Sequence, residues 1–156
     1  MRGKPAPKIK ISPDARFNRD DVAKFINYIM ERGKKTAAEG IVYEMMDIIS
    51  DKTKLDPLDV FETAIKNIAP TVEIKGRRVG GANYQVPVAV RSERSLTLAC
   101  RWLIAAAKAK KGRKMSAKLA EEMINAYNSE GAAFKKKQDT YRMAEANRAF
   151  AHFGRS

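Results

Sequence analysis

Pro70-Thr71-Val72-Glu73-Ile74-Lys75-Gly76-Arg77-Arg78-Val79-Gly80-Gly81-Ala82-Asn83-Tyr84-Gln85-Val86-Pro87-Val88-Ala89-Val90 is where the hydrophobic period of the chain changes. Val72 and Ile74 alternate with Glu73 and Lys75, and Val86, Val88 and Val90 alternate with Gln85, Pro87 and Ala89. A period of two belongs to a strand, and Gly80-Gly81 between the two runs supplies a tight turn. The stretch therefore predicts a β-hairpin at about residues 72–91. Pro87 has no N–H to give to a ladder, so its strand must be an edge. A lone two-stranded ribbon is marginal in water. Its base is expected to pack on helices through Val72, Ile74, Val86 and Val88. Its tip, with Lys75, Arg77 and Arg78 leading to the glycines and Arg91 at the base, is expected to project.

Helical spacing governs the chain on both sides. Before the hairpin, Val22, Phe25, Ile26, Ile29 and Met30 define a first helix, with Asn18 as its N-cap, Asp20 and Asp21 in its first turn and Gly33 beyond its end. Thr36-Ala37-Ala38-Glu39 has the form of a capping box opening a second. Asp56-Pro57 opens a third, with Leu58, Phe61, Ile65 and Ile68 inward. After the hairpin, a fourth helix covers about 92–111 with Leu96, Ala99, Cys100, Leu103 and Ala107 inward. A fifth follows, capped by Ser116, with Leu119, Ala120, Met123, Ile124 and Tyr127 inward and Gly131 as its stop. A last helix covers about 134–150. Lys135, Lys136 and Lys137 near its start oppose the helix dipole, which is better tolerated if an anion compensates them. The expected fold is mainly α: a single bundle of about six helices with a protruding two-stranded β-hairpin between helices three and four. Residues 1–17, with prolines at 5, 7 and 13, read as an extended basic arm, and residues 18–156 as the helical domain.

The 156 residues carry a formal net charge of +13, and that charge is sorted along the chain. Residues 36–74 hold eight acids against three lysines, whereas residues 75–118 hold twelve Lys/Arg and one acid, Glu93. Sorting of this kind points to a polyanionic partner held on one side of the molecule. Arg94, Arg101 and Lys108 recur every seven residues, nearly two helical turns and roughly 10 Å apart. They share a face opposite the Leu96–Leu103 stripe and can meet successive phosphates of a nucleic-acid backbone. Trp102 and Leu98 flank that row. Trp102 is read chiefly as packing, with base stacking as its alternative use. Nucleic acid is preferred over an anionic membrane, because the helices spend their apolar faces on a core.

Other function classes find little support. Cys100 is the only cysteine and His152 the only histidine, which leaves no cysteine zinc site, no disulfide and no Ser-His-Asp relay. The longest apolar run, residues 102–107, is too short for a bilayer. Carboxylates at 44, 47, 51, 56, 59 and 62 are expected on solvent faces, with no second signal pairing any two as acid and base. No catalytic residue, metal or cofactor is expected, and the protein is expected to work in the cytoplasm. Two rivals are an architectural DNA-binding protein with a β-ribbon arm and an RNA-processing enzyme.

Residues 70–88 of the hairpin stretch quoted above resemble the bacterial form of the small-subunit ribosomal protein seven family. So do Gly33-Lys34-Lys35 after the first helix, the Arg101-Trp102-Leu103 step, and Tyr141-Arg142-Met143-Ala144-Glu145-Ala146-Asn147-Arg148-Ala149-Phe150-Ala151-His152-Phe153. The resemblance covers nearly the whole chain. It implies a protein that binds the 3′ major domain of 16S rRNA directly and nucleates assembly of the head of the small subunit. It further implies a place near the exit-site tRNA and the mRNA path, beside small-subunit ribosomal proteins nine and eleven. Carried over, the rRNA contacts would be Arg2, Lys4, Lys8 and Lys10 of the arm, Lys34 and Lys35, and Lys75, Arg77, Arg78 and Arg91 of the hairpin. They would continue with the helix-four row Arg94, Arg101 and Lys108 and the cations after it, Lys110, Lys111, Arg113, Lys114 and Lys118. Facing the exit-site tRNA would be Arg77, Arg78, Val79, Gly80, Gly81, Ala82 and Asn83 at the tip, with Arg142 and Met143 on the last helix. Arg148, Phe150, His152 and Phe153 would face protein eleven. The chain departs from the bacterial pattern at its ends, opening on Met1-Arg2-Gly3-Lys4-Pro5 and closing on Gly154-Arg155-Ser156.

Overall fold

The structure, a computed structural model, describes Gly3 and residues 10–154. The chain divides into two compact units, Met1–Gly40 and Ile41–Ser156. Its elements are α1 (Asp20–Ile29), α2 (Lys35–Thr53), α3 (Pro57–Ile68), β1 (Val72–Val79), β2 (Ala82–Ala89), α4 (Ser92–Ala109), α5 (Met115–Tyr127), α6 (Gly131–Ala146) and a 3-10 helix (Arg148–Gly154). The protein is mainly helical, with the hairpin between the third and fourth helices, as the change of period predicts.

In the first unit the start of α1 differs from the expectation. Asn18 sits in the left-handed region at φ 52°, and its N–H bonds to the Asp14 carbonyl at 3.0 Å. The Asp14 carboxylate takes the N–H groups of Arg16 and Phe17 at 2.9 and 3.0 Å. That turn uses Asp14 where a cap would use Asn18, so the helix begins at Asp20 with extended Arg19 before it. Val22, Ala23, Phe25, Ile26 and Ile29 are buried. Arg32 and Gly33, at φ 54° and 73°, make the turn into α2. Helix α2 starts at Lys35, one residue ahead of Thr36, which is therefore inside the first turn and not its cap.

In the second unit Asp56 caps α3 as expected, its Oδ1 accepting the Leu58 N–H at 2.9 Å with Pro57 following. Helix α3 packs on α5, α4 packs on α5, and α6 lies against α4, α5 and β1. Val42, Met45, Met46, Ile49, Phe61, Ile68, Leu103, Leu119 and Met123 are wholly inaccessible, apart from a trace of exposure at Phe61. Burial of each such side chain contributes roughly 1.5–3 kcal/mol. In α4 the buried set is Leu98, Ala99, Cys100, Leu103, Ile104 and Ala107. Leu98 thus joins the core, while Leu96 and Trp102 are half-buried. Helix α5 begins at Met115 after Lys114, and Ser116, expected as its cap, is buried within the first turn.

The last helix starts at Gly131, three residues earlier than its apolar spacing predicts, and yields to the 3-10 turn before Phe150. Gly131 is thus the entrance to α6 and not simply the stop of α5. The earlier start moves Lys135–137 into the second turn, where the helix dipole has faded. Lys137 instead donates to the Asn67 carbonyl at 2.7 Å, at the negative end of α3, while the Asn67 amide donates to the carbonyls of Ala126 and Tyr127 at the end of α5. These bonds satisfy carbonyls that a helix end leaves open.

Gly131 is required twice over. Its φ is +90°, and a Cβ there would stand 2.7 Å from Glu122 Oε1. Gly131→Ala is expected to cost about 1–3 kcal/mol, read as a lower denaturation midpoint with an unchanged slope.

The hairpin pairs antiparallel with Val79 opposite Ala82, Arg77 opposite Tyr84, Lys75 opposite Val86 and Glu73 opposite Val88. Gly80 and Gly81, at φ 58° and 87°, form the two-residue turn, which demands positive φ at both positions. The root is tied down by three bonds: Val90 N–H to the Thr71 carbonyl, Ser95 hydroxyl to the Pro70 carbonyl, and Thr71 N–H to the Tyr141 hydroxyl. Val86 is fully buried, but Val72, Ile74 and Val88 are only half-buried, and Glu73 is buried instead.

Candidate nucleic-acid interface

The α4 row emerges as the heptad spacing requires. Arg94, Arg101, Ala105 and Lys108 are all exposed, and the buried residues of α4 lie on the other side. Arg101 has no carboxylate partner among the described residues. Also exposed and without such a partner are Lys34 and Lys35 in the first unit, and Arg78, Arg91 and Lys111 in the second. Lys10 is exposed, whereas Arg2, Lys4 and Lys8 lie outside the described residues.

Several other cations in the basic run are held by acids that lie outside it. Glu73 receives Arg94 Nε and Nη2 at 3.2 Å each and Lys75 Nζ at 3.0 Å. Lys110 lies 3.0 Å from both Glu121 and Glu122, Arg113 is 3.0 Å from Glu121, and Lys114 is 3.8 Å from Glu44. Lys118 donates to the Lys110 carbonyl at 2.8 Å, closing the end of α4. The isolation of Glu93 in the linear sequence therefore overstated how free these cations are. Chain proximity gives no warning of pairs such as Glu73 with Arg94 or Glu44 with Lys114.

Glu73 is the clearest case of electrostatic tuning. Burial pushes its carboxyl upward, but hydrogen bonds and positive charge from Lys75 and Arg94 prevail and hold it below the ordinary carboxylate value. A depressed pKa contributes stability above the unfolded value, and that contribution is lost as pH falls through the folded one. Glu73→Gln is therefore expected to remove part of the acid-induced loss of stability below about pH 4.5; a wild-type acid transition in the variant would contradict this role.

At the ribbon tip Arg78, Val79, Gly80, Gly81, Ala82 and Asn83 are exposed and Arg77 is half-buried. On α6, Arg142 is exposed 3.7 Å from Asp139, and Met143 is 40% exposed. Of the C-terminal residues expected to face protein eleven, Phe150 and Phe153 lie against the ribbon. Both pack on Tyr84 with tilted rings, at centroid distances of 5.0 and 5.4 Å. A Cβ on Gly154 would lie 3.3 Å from the Pro87 carbonyl oxygen and Val86 Cγ1. Arg148 is exposed beside Glu145 at 3.5 Å, and His152 is exposed with its ring against Phe153. The sequence signals this cluster only through a pair of aromatics three apart, Phe150 and Phe153.

Among the described residues no group of three or more His, Cys, Asp or Glu side chains could hold a metal, and no helix is long and apolar enough to cross a membrane. What the surface offers is an outward row on one helix, a cationic ribbon held at its root, and cations poised between internal carboxylates and solvent.

Comparison with known proteins places this architecture among ribosomal proteins: the family model for ribosomal protein S7p/S5e matches residues 1–148. The small ribosomal subunit protein uS7 of Thermotoga maritima is 58% identical over 153 residues, covering 98% of this chain and 99% of that one. Its counterpart from Desulfatibacillum aliphaticivorans is 52% identical over 152 residues, 97% of each chain, and that from Chloroflexus aggregans is 55% identical over 145 residues, 93% and 92%. The chain belongs to the ribosomal protein S7p/S5e family.

Proposed function

We propose that this ribosomal protein is a structural constituent of the small subunit of the cytoplasmic ribosome, a primary 16S rRNA-binding protein that organises the 3′ major (head) domain. The observation that carries the reading is the outward row of α4, set opposite the buried stripe of the same helix, in a chain of this family. Many weak phosphate contacts on a fixed scaffold hold several rRNA helices in one relative orientation. Specificity then comes from RNA shape and from the junctions between helices, since the deep major groove of A-form RNA is closed to side chains. In the same reading, residues 1–17 add phosphate contacts through Arg2, Lys4, Lys8 and Lys10, and residues 18–156 form the rRNA-binding domain. The ribbon tip, with Arg142 and Met143, faces the exit-site tRNA near the mRNA path. Arg148, Phe150, His152 and Phe153 face small-subunit protein eleven, and protein nine lies nearby.

The test is a footprint on protein-free 16S rRNA together with the salt dependence of binding. Protection confined to the 3′ major domain is expected. Log K should fall by roughly 0.7–0.9 per phosphate neutralised for each tenfold rise in salt. Binding that is insensitive to salt, or equal competition by duplex DNA, would contradict the proposal.

A further inference from the structure

The turn between α4 and α5 borders an open cavity of about 310 Å³ lined by Lys110, Lys111, Arg113, Lys118 and Glu121. Here several cations of the basic run converge on a hollow with a single carboxylate among them. Each Glu121 oxygen meets a different cation: Oε1 is 3.0 Å from Lys110 Nζ, and Oε2 is 3.0 Å from Arg113 Nη1. Two terminal oxygens on one centre, each taking a charged donor, is also how a phosphodiester is gripped. We propose that Glu121 is an internal stand-in for a backbone phosphate of RNA: it holds the cavity's cations in place in the free protein and is displaced by that phosphate on binding. The inference rests on the rRNA-binding reading and specifies how one part of that surface works.

The two carboxylates on Lys110 differ in a way that makes displacement feasible. Glu122 is 1% exposed, receives the Ala133 N–H at 3.0 Å and cannot leave without orphaning that group. Glu121 is 37% exposed, and its Arg113 partner is 65% exposed. When Glu121 swings out, Lys110 keeps Glu122 and stays neutralised, while Arg113 becomes available to an anion beside Lys111, which has no carboxylate partner among the described residues. The Lys110, Arg113 and Lys52 charges keep Glu121 ionised, so it competes with phosphate charge for charge. With the carboxylate still nearby after displacement, the cavity neutralises about one phosphate charge fewer than its cations alone would.

Opposite effects from the two partners of one ion pair would test this. Binding of the full chain to a 3′-domain transcript of 16S rRNA is measured across a salt series for wild type, Glu121→Gln, Arg113→Gln and, as a charge control, Asp59→Asn on the exposed face of α3. Glu121→Gln is expected to tighten binding about fivefold at 0.15 M salt and to steepen the salt slope by roughly 0.7–0.9. Arg113→Gln is expected to weaken binding by a similar factor, and Asp59→Asn to change it much less. If both partners weaken binding, the pair is structural and the proposal falls. It falls equally if Glu121→Gln changes nothing, or if Asp59→Asn gives the same gain, while the rRNA-binding reading then stands on the wild-type curve. A wild type that shows no salt-dependent binding would overturn both.

Discussion

Removal of the charges on Arg94, Arg101 and Lys108 together is expected to weaken binding to 3′-domain rRNA on the order of 100-fold at 0.15 M salt. The estimate follows from counterion release: between 1 M and 0.15 M salt, each neutralised phosphate contributes roughly four- to fivefold, and three contributions multiply. The salt slope should flatten by about 2–3 units over the same series. Loss of Glu44, Asp47 and Asp51 together, all exposed on α2, is expected to leave affinity within a few fold of wild type. Equal effects from the two triples would mean that the sorting of charge along this chain is incidental. Arg94 needs separate treatment, because it also holds buried Glu73 at the ribbon root. The double variant Arg101→Gln with Lys108→Gln leaves that anchor intact. It should retain the wild-type melting temperature and lose roughly 15- to 30-fold in affinity.

The second large effect concerns stability. Glu122→Ala is expected to cost about 3 kcal/mol, because it strips Lys110 of its buried partner and leaves the Ala133 N–H without an acceptor. In a chain of this size that corresponds to a melting temperature lower by roughly 6–12 °C. Glu122→Gln keeps an oxygen for Ala133 and should lose far less. Glu121→Gln, at a solvent-screened pair, should barely move the melting point. A Glu122→Ala variant that melts with wild type would show that the junction of α4, α5 and α6 does not depend on this carboxylate. Gly131 belongs to the same junction, since its missing side chain leaves the space that Glu122 Oε1 fills.

Local signals served well wherever the deciding interaction spans only a few residues. Asp56-Pro57 opens α3 because the cap bond reaches just two residues along the chain. Gly80-Gly81 closes the ribbon because the turn's backbone angles select glycine. The same logic failed at Asn18, Thr36 and Ser116. Each is an acceptable cap by composition, but the flanking chain starts the helix one or two residues away. The spacing of Arg94, Arg101 and Lys108 correctly gave an outward face, because the helical period alone sets direction. Which of those cations is already engaged could not be read the same way: Arg94 lies 21 residues from Glu73 in sequence and within 3.2 Å of it in space.

The amino-acid order alone therefore determined the helical elements, the ribbon and its turn, the outward row on α4 and the family to which the chain belongs. Each of these rests on periodicity or on contacts among near neighbours, and those survive in one dimension. Only the tertiary structure decided which positive charges stay available, which carboxylates hold the rest, and that Phe150 and Phe153 close over Tyr84. Ion pairs and ring contacts depend on distance through space, and folding brings together groups that the chain keeps tens of residues apart.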